Sequence, residues 1–507
     1  MSTKKILAVL LALFVLATAV SGCGNSGSSS ADSQSGSSAT SENSASTEDT
    51  ASTDGEVPTI SLMVVCGTTP PDADAVAEKL SEITREKIGC NVEFITMEIG
   101  NVAQQLNLLL SGGDDTLDVF MAGISVPYST IVNNGQALSL DTLMEPYAEE
   151  VKTALGEKVY ESGRVNGELY GIGRLLDQAS TTCYNLRRDI AEEFGYKNGD
   201  KVDLAELTEL FGKVREKYPD TPLIGPMNGV PSIGDSRIDS LGNKLGVLDN
   251  YGQDTTVTNY YESAGYEELV GYFKQWKEMG CYMADILNVT DAPIDYIPSG
   301  KAFGCFASHF SAEMNGIWSS DIASLQIYED AVAITPGAYE CINPATKNPE
   351  AAAALIYLMA TDPDVENLLI NGIEGQHYQV LEDNTATYVD GKDISTTGWC
   401  LGYSWTALNS TISIPFEYPA DYYDRMLAAN KNAQQSKAFG CQFDLTGVSD
   451  AVSACTNVVN QYENALSGGA VEDFDATLAQ FQQGLRDAGI DEIVAAKQEQ
   501  LDAFLAG

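Results

Sequence analysis

The chain has 507 residues and a formal charge of −44, from 28 basic and 72 acidic side chains. A surface so acidic repels nucleic acid and anionic lipid, which excludes both as partners. The ten cysteines form no CxxC pair and no His/Cys cluster, so no metal site is expected.

The first residues read MSTKKILAVLLALFVLATAVSGCG. Lys4 and Lys5 form a positive leader, Ile6 to Val20 an apolar run too short for a stable span, and Ala19 to Gly22 a small-residue cleavage site. The pattern predicts a signal peptide over 1–22. Its end at Cys23 resembles the bacterial lipobox, in which the thiol after the cut carries a diacylglycerol. Two acyl chains hold a protein to a membrane where one binds only reversibly. Residues 23–56, beginning with the lipidated cysteine, are mostly Gly, Ser, Ala, Thr and acid, with almost nothing to bury, and are expected to be a flexible tether. Nine cysteines remain beyond Cys23. Disulfides are permitted outside the membrane, but an odd count leaves at least one thiol unpaired, and buried free thiols fit equally.

The roughly 450 residues that follow are enough for two lobes with a sizeable core. TISLMVV (59–65) reads as a strand, and Val76, Leu80 and Ile83 follow at helical spacing. NVEFITM (91–97) reads as a second strand, Leu106 to Leu110 as a helix, and LDVFMAG (117–123) as a third strand. This alternation predicts a parallel sheet covered by helices. In such sheets ligands bind beyond the carboxyl ends of the strands. Those ends carry Thr68, Thr69, Gly123 and Ser125, small or hydroxyl-bearing residues suited to a polar ligand. Capping of the next helix by Thr69 or Asp72 is the competing use.

Further on, Leu269, Val270, Phe273 and Trp276 share a helical face, which assigns Trp276 to the core. KAFGCFASHF (301–310) alternates as a strand and delivers His309 and Phe310 at its end. PEAAAALIYLMATDP (349–363) reads as an apolar helix stopped by Pro363. Near the C-terminus Phe474, Leu478, Phe481 and Leu485 fall on one helical face.

Three stretches resemble the solute-binding lipoproteins of ABC importers, in their family 1, maltose-type branch: GELYGIGRLLDQASTTCYNLRRDIAEEFG (167–195), SGKAFGCFASHF (299–310) and NPATKNPEAAAALIYLMATDPDVENLLINGIEGQHY (343–378). FDLTGVSDAVSACTNVVNQYENALSGG and LRDAGIDEIVAAKQEQLDAFLAG resemble the C-terminal domain of unknown function of the LipO-like members. The resemblance implies an α/β, two-lobe periplasmic-binding-protein-like fold of type II. Each lobe would be a mixed, mainly parallel sheet flanked by helices, with the ligand cleft between lobes. It divides the chain into lobe 1 over 57–175 and 336–372 and lobe 2 over 176–335 and 373–507. It also implies the function: a monomer, held on the extracytoplasmic face of the cell membrane by its lipid alone, would capture a sugar or oligosaccharide by hinge closure. The ligand would pass to the importer's permease subunits without catalysis. A glycan-acting surface enzyme and a receptor for peptide or another polar solute are the alternatives.

Sugars present hydroxyl rims and flat C–H faces, which call for polar partners beside aromatic rings. The stretch TTGWCLGYSWTALNSTISIPFEYPADYYD (396–424) is the richest in both, and Trp399, Trp405 and Asn409 are its candidates for a cleft wall; packing between two lobe segments is its other use. Arg174, at the first crossover of the resemblance, is placed either to clamp a ligand or to form a salt bridge. Tyr184 is similarly placed. Phe310 stands where maltose-type members can offer a stacking tryptophan.

NGIEGQHYQV (371–380) puts Glu374 close to His377. Gly372 and Gly375 suit a hinge-proximal turn that this pair fixes, with ligand contact as its second use. No nucleophile elbow, HExxH, P-loop or dinucleotide glycine motif is present, so neither a catalytic residue nor a cofactor is expected.

Overall fold

A computed structural model describes residues 57–112, 117–226, 233–289, 296–317, 320–328, 331–399 and 407–506. The leader, Cys23, the tether and Trp405 lie outside the described residues.

β1 (Thr59–Cys66), α1 (Ala73–Lys87), β2 (Asn91–Glu98), α2 (Val102–Leu110), β3 (Val119–Ala122) and α3 (Tyr128–Asn133) alternate as the hydrophobic periodicity predicts. β1 pairs in parallel with both β2 and β3. After β4 (Gly171–Gly173) the chain enters a second lobe through β5 (Thr181–Arg187). That lobe adds α4 (Ala264–Glu278), β6 (Gly304–His309) and β7 (Ile322–Gln326), and β8 (Val332–Ala333) begins the return. β9 (Tyr339–Ile342) then inserts antiparallel between β3 and β4, giving the five-stranded order β2-β1-β3-β9-β4.

Side chains alternate across this sheet, as the pleat requires. Ile60, Leu62 and Val64 face one core with Val76 and Leu80 of α1. Met63, Val65 and Phe120 face another with Val102, Leu106 and Ile131 of α2 and α3. α5 (Pro349–Thr361) and α6 (Pro363–Asn371) complete the first of these cores. Pro363 ends α5 and starts α6: its ring is tolerated in a first turn, and the Asp362 carboxylate accepts the N–H groups of Asp364 and Val365.

The chain does not leave this lobe at 372, as expected from the resemblance. Ile373, Trp399, Ala407 and Leu408 pack into the core under α1 and α6. Backbone and side-chain hydrogen bonds keep the described residues 373–399 and 407–417 there, the Glu417 N–H donating to the Ala386 carbonyl at 2.8 Å. The reason is apolar area: these side chains close a face that α5 and α6 leave open.

In the second lobe β5 runs between β6 and β7 and antiparallel to both. The described sheet there is therefore antiparallel at each pairing, rather than mainly parallel. β6 and β7 do run the same way, and the entering strand β5 is the one that opposes them. Its core joins Tyr184, Phe211, Trp276 and Phe306. Trp276 is buried as expected, its indole N–H donating to Thr208 Oγ1 at 2.8 Å. Beyond α7 (Tyr422–Asn432) and β10 (Gln434–Gln435), α8 (Ser449–Ser467), α9 (Phe474–Asp487) and α10 (Ile490–Ala506) pack on this same core through Cys455, Leu466, Phe481, Leu485 and Ile493. Burial of each such large apolar side chain contributes ~1.5–3 kcal/mol. The C-terminal segment is thus part of the second lobe's interior surface. Eight described cysteines, Cys66 to Cys455, are buried free thiols, and Cys400 lies outside the described residues.

Candidate functional site

Tyr339 pairs with Ala122 on one side and Gly173 on the other. The carboxyl ends of β1, β3 and β4 therefore share one edge with the start of β9. Thr68, Thr69 and Ser125 are exposed just beyond it, and Arg174 is half-buried there. Gly123 has φ +101°, and a Cβ at that position would lie 1.9 Å from the Gly337 carbonyl oxygen. Only glycine lets the backbone of a returning segment come this close.

Three segments link the lobes: 174–180, 333–338 and 418–434. Ala179 bridges to Ala333, while Asn430 accepts the Ala179 N–H at 3.1 Å and donates to the Leu176 carbonyl at 2.6 Å, so the first segment holds the other two. On the second lobe Thr181, the first residue of β5, pairs with His309. His309 and Phe310 consequently lie beside the first linking segment, on the edge that adjoins the first lobe.

An aromatic group gathers at this junction. Tyr418 and Tyr422 stack with ring centroids 3.8 Å apart and planes 18° apart. The Tyr422 hydroxyl is 3.4 Å from His309 Nε2, and its ring meets Phe310 edge-on at 5.2 Å. Phe310, Met314 and Met426 form the apolar base. Burial pushes the His309 pKa down to about 4, so the ring is neutral at pH 7. Burial raises the pKa of both Tyr418 and Tyr422, and the nearby Asp177 charge adds a smaller push in the same direction. Its own carboxyl is raised by burial, against the pull of the Arg174 guanidinium. Flat rings, a carboxyl group and a guanidinium around one junction can remove the apolar face of a polyhydroxylated ligand from water while bonding its rim.

A second part of the space between the lobes is a cavity of about 660 Å³. It lies between α3 and the start of α8, with Ile334 to Gly337 of the second linking segment in its wall. None of His309, Phe310, Tyr418 and Tyr422 lines it, and among the residues expected at the ligand only Gly123 does.

Five expected site residues sit elsewhere, each for a packing reason. Tyr184 is buried in the second lobe's core and its hydroxyl donates to the Leu223 carbonyl. Glu374 is exposed on a turn and has no described bond to His377. His377 is buried; its Nδ1 accepts the Ile373 N–H at 2.8 Å and its Nε2 meets the Asp72 carboxylate at 3.1 Å. Gly372, at φ +80°, is required there, because a Cβ would lie 2.3 Å from that Nδ1. Trp399 stacks on Phe94 and donates from its indole to the Leu369 carbonyl at 3.1 Å. Asn409 is buried: its amide donates to the Ala360 carbonyl, its backbone N–H to Glu366, and its Oδ1 accepts from Thr411. Burial pushes the Glu366 carboxyl up to about 8.

Thr68, Thr69, Gly123, Ser125, Arg174, His309 and Phe310 do fall on the facing edges. Asp177 was not expected at this junction, and Tyr418 and Tyr422 stood in the aromatic stretch read as a cleft wall but were not singled out from it. Their signals were an acid four residues after Gly173 and the YPADYYD run, and neither has a spacing that distinguishes cleft from core.

The arrangement is a two-lobe α/β fold, with both sheet edges turned to a space bounded by three linking segments. Comparison with known proteins agrees. Residues 437–506 match a family described as a domain of unknown function, DUF3502. The chain is 23% identical over 474 residues to a carbohydrate ABC transporter substrate-binding protein of Streptococcus pneumoniae, covering 90% of this chain and 92% of that one. The structure of the N-glycan transport solute binding protein NgtS from Streptococcus pneumoniae superposes with a TM-score of 0.73 at 21% identity, covering 89% of this chain and 99% of that chain. NgtS in complex with Man5GlcNAc superposes with a TM-score of 0.66 at 22% identity, over 89% and 99% of the two chains. At these identities the structural likeness establishes the fold.

Proposed function

We propose that this protein is the lipid-anchored, extracytoplasmic solute-binding protein of an ABC importer and that its ligand is an oligosaccharide. The observation that carries the reading is the junction of Tyr418, Tyr422, Phe310 and His309 beside Asp177 and Arg174, between two sheet edges. The relative of similar length is named as a carbohydrate substrate-binding protein, and NgtS has been solved with Man1GlcNAc and Man5GlcNAc, which supports the same class of ligand. Ligand would favour the conformation in which the lobes close over it, and permease subunits would recognise that conformation. Cys23 would tether a monomer through its lipid, and 23–56 would give it reach.

Thermal unfolding of the purified chain with saccharides, amino acids, short peptides and polyamines tests this, with each mixture checked for product by mass spectrometry. A ligand at a hundred times its Kd adds ~2.7 kcal/mol to stability. The expected result is a raised midpoint with one class of saccharide and no product. A shift with peptides or amines alone overturns the sugar, and product overturns the receptor. Cys23→Ala is expected to release the protein from the membrane fraction.

A further inference from the structure

The cavity of about 660 Å³ between α3 and α8 is distinct from the aromatic junction, and its size falls in the range of roughly 300–1,000 Å³ typical of small-molecule sites. Its lining is unusual for this chain. With 72 acidic and 28 basic residues in the sequence, no Lys or Arg lines it among the described residues, and Asp239 is the sole carboxylate among them. That side chain is turned inward, 4% exposed, with Oδ1 accepting the Leu241 N–H at 3.0 Å. The accessible polar groups are neutral: Ser129 and Asn134 from the first lobe, and Ser240, Ser449 and Ser453 from the second. Among the described residues the hydroxyls of Ser129, Ser240, Ser449 and Ser453 have no hydrogen-bond partner, although each can donate once and accept twice. Ser449 and Ser453 are four residues apart and so share one face of α8. Tyr128 and Tyr339, stacked at 4.1 Å, and Phe443 supply the apolar part of the wall.

We infer that this cavity is a second saccharide subsite, which takes the residues of a longer oligosaccharide that extend past the aromatic junction. The start of α8, which belongs to the C-terminal domain, thereby sets the preference for chain length. The inference rests on the carbohydrate reading above. Uncharged hydroxyls from both lobes suit a neutral polyhydroxylated segment, because a cation would find no accessible carboxylate and an anion no base. Gly123 and Gly337 line the cavity, which therefore begins directly beside the carboxyl end of β3.

The test is calorimetric titration of the purified chain with short and long saccharides in pairs: Man1GlcNAc and Man5GlcNAc, maltose and maltohexaose, cellobiose and cellohexaose. Ser453→Trp fills the cavity from an exposed position, and Gln461→Trp, exposed on the same helix outside the lining, is the control. The expected result is that the wild type binds the long member of one pair at least tenfold more tightly. Ser453→Trp removes that gain, leaves the short member's Kd within twofold, and is not matched by Gln461→Trp. An unchanged Kd for the long member in Ser453→Trp overturns the subsite and leaves the carbohydrate reading intact. Equal weakening of both members also overturns it, since the variant then impedes closure and not a subsite. If the wild type binds no member of any pair, the subsite and the carbohydrate reading fall together.

Discussion

The imidazole of His377 lies 3.1 Å from the carboxylate of Asp72, 305 residues earlier in the chain. Because Nδ1 accepts the Ile373 N–H, Nε2 carries the proton and donates to Asp72. Asp72 also accepts from the Gln376 amide at 3.1 Å, and its N–H donates to the Gly398 carbonyl. The entrance to α1 is thus clasped to the turn after α6.

Removal of this clasp is expected to cost stability and leave binding intact. His377→Ala removes a buried ring and two hydrogen bonds, to the Ile373 N–H and the Asp72 carboxylate, each bond contributing about 0.5–1.5 kcal/mol. Burial outweighs the attraction of Asp72 and lowers the His377 pKa, so the folded ring stays neutral while the unfolded one takes a proton below about pH 6.5. Stability contributed by the neutral ring is therefore lost as pH falls through 6.5, and the variant's midpoint should depend less on pH there. Denaturation between pH 5 and 8 and ligand titration at pH 7 check both parts. An unchanged midpoint with weakened binding would return His377 to the ligand.

Tyr418 is expected to behave in the opposite way. Tyr418→Ala removes one ring of the stack on Tyr422 and should weaken the ligand at least tenfold, about 1.4 kcal/mol. Tyr418→Phe keeps the ring and should stay within threefold. Calorimetry with the saccharide that most raises the wild-type midpoint reads this directly. Equal loss in both variants would assign the contact to the hydroxyl.

Lys497 is fully buried on α10, its ammonium donating to Asn243 Oδ1 at 2.7 Å and to the Gly246 carbonyl at 3.0 Å. Burial holds its pKa down to about 7, with the Asp239 charge pulling the other way. An unfolded lysine titrates near 10.4, so between those values the unfolded chain binds more protons and stability rises with pH. From pH 7 to 9 the wild type should gain about 2 kcal/mol relative to Lys497→Met. Parallel denaturant midpoints for the two proteins across that window would remove Lys497 as the cause.

The elements of the first lobe were legible because each carries its own period. Val76 and Leu80 on α1, and the alternation of Ile60, Leu62 and Val64 against Met63 and Val65 on β1, are local patterns that burial merely completes. The Thr68, Thr69, Gly123 and Ser125 edge followed from a topological rule. Trp399 and Asn409 were misread for the converse reason. An indole or an amide in an irregular stretch suits a ligand or a buried carbonyl equally, and the carbonyls of Leu369 and Ala360 that claim them are 30 and 49 residues away.

The sequence by itself determined the helices and strands of the first lobe, the assignment of Trp276 to a core, and the alternation that turns a sheet edge toward a ligand. Those depend on neighbours within a few turns or a strand, where side-chain spacing is the physical constraint. The tertiary structure alone decided that His377 clasps Asp72, that 373–399 and 407–417 stay with the first lobe, and that Ser129 of α3 and Ser449 and Ser453 of α8 line one cavity. Each depends on which distant backbone group or apolar face needs a partner, and the chain supplies that partner only after it has folded.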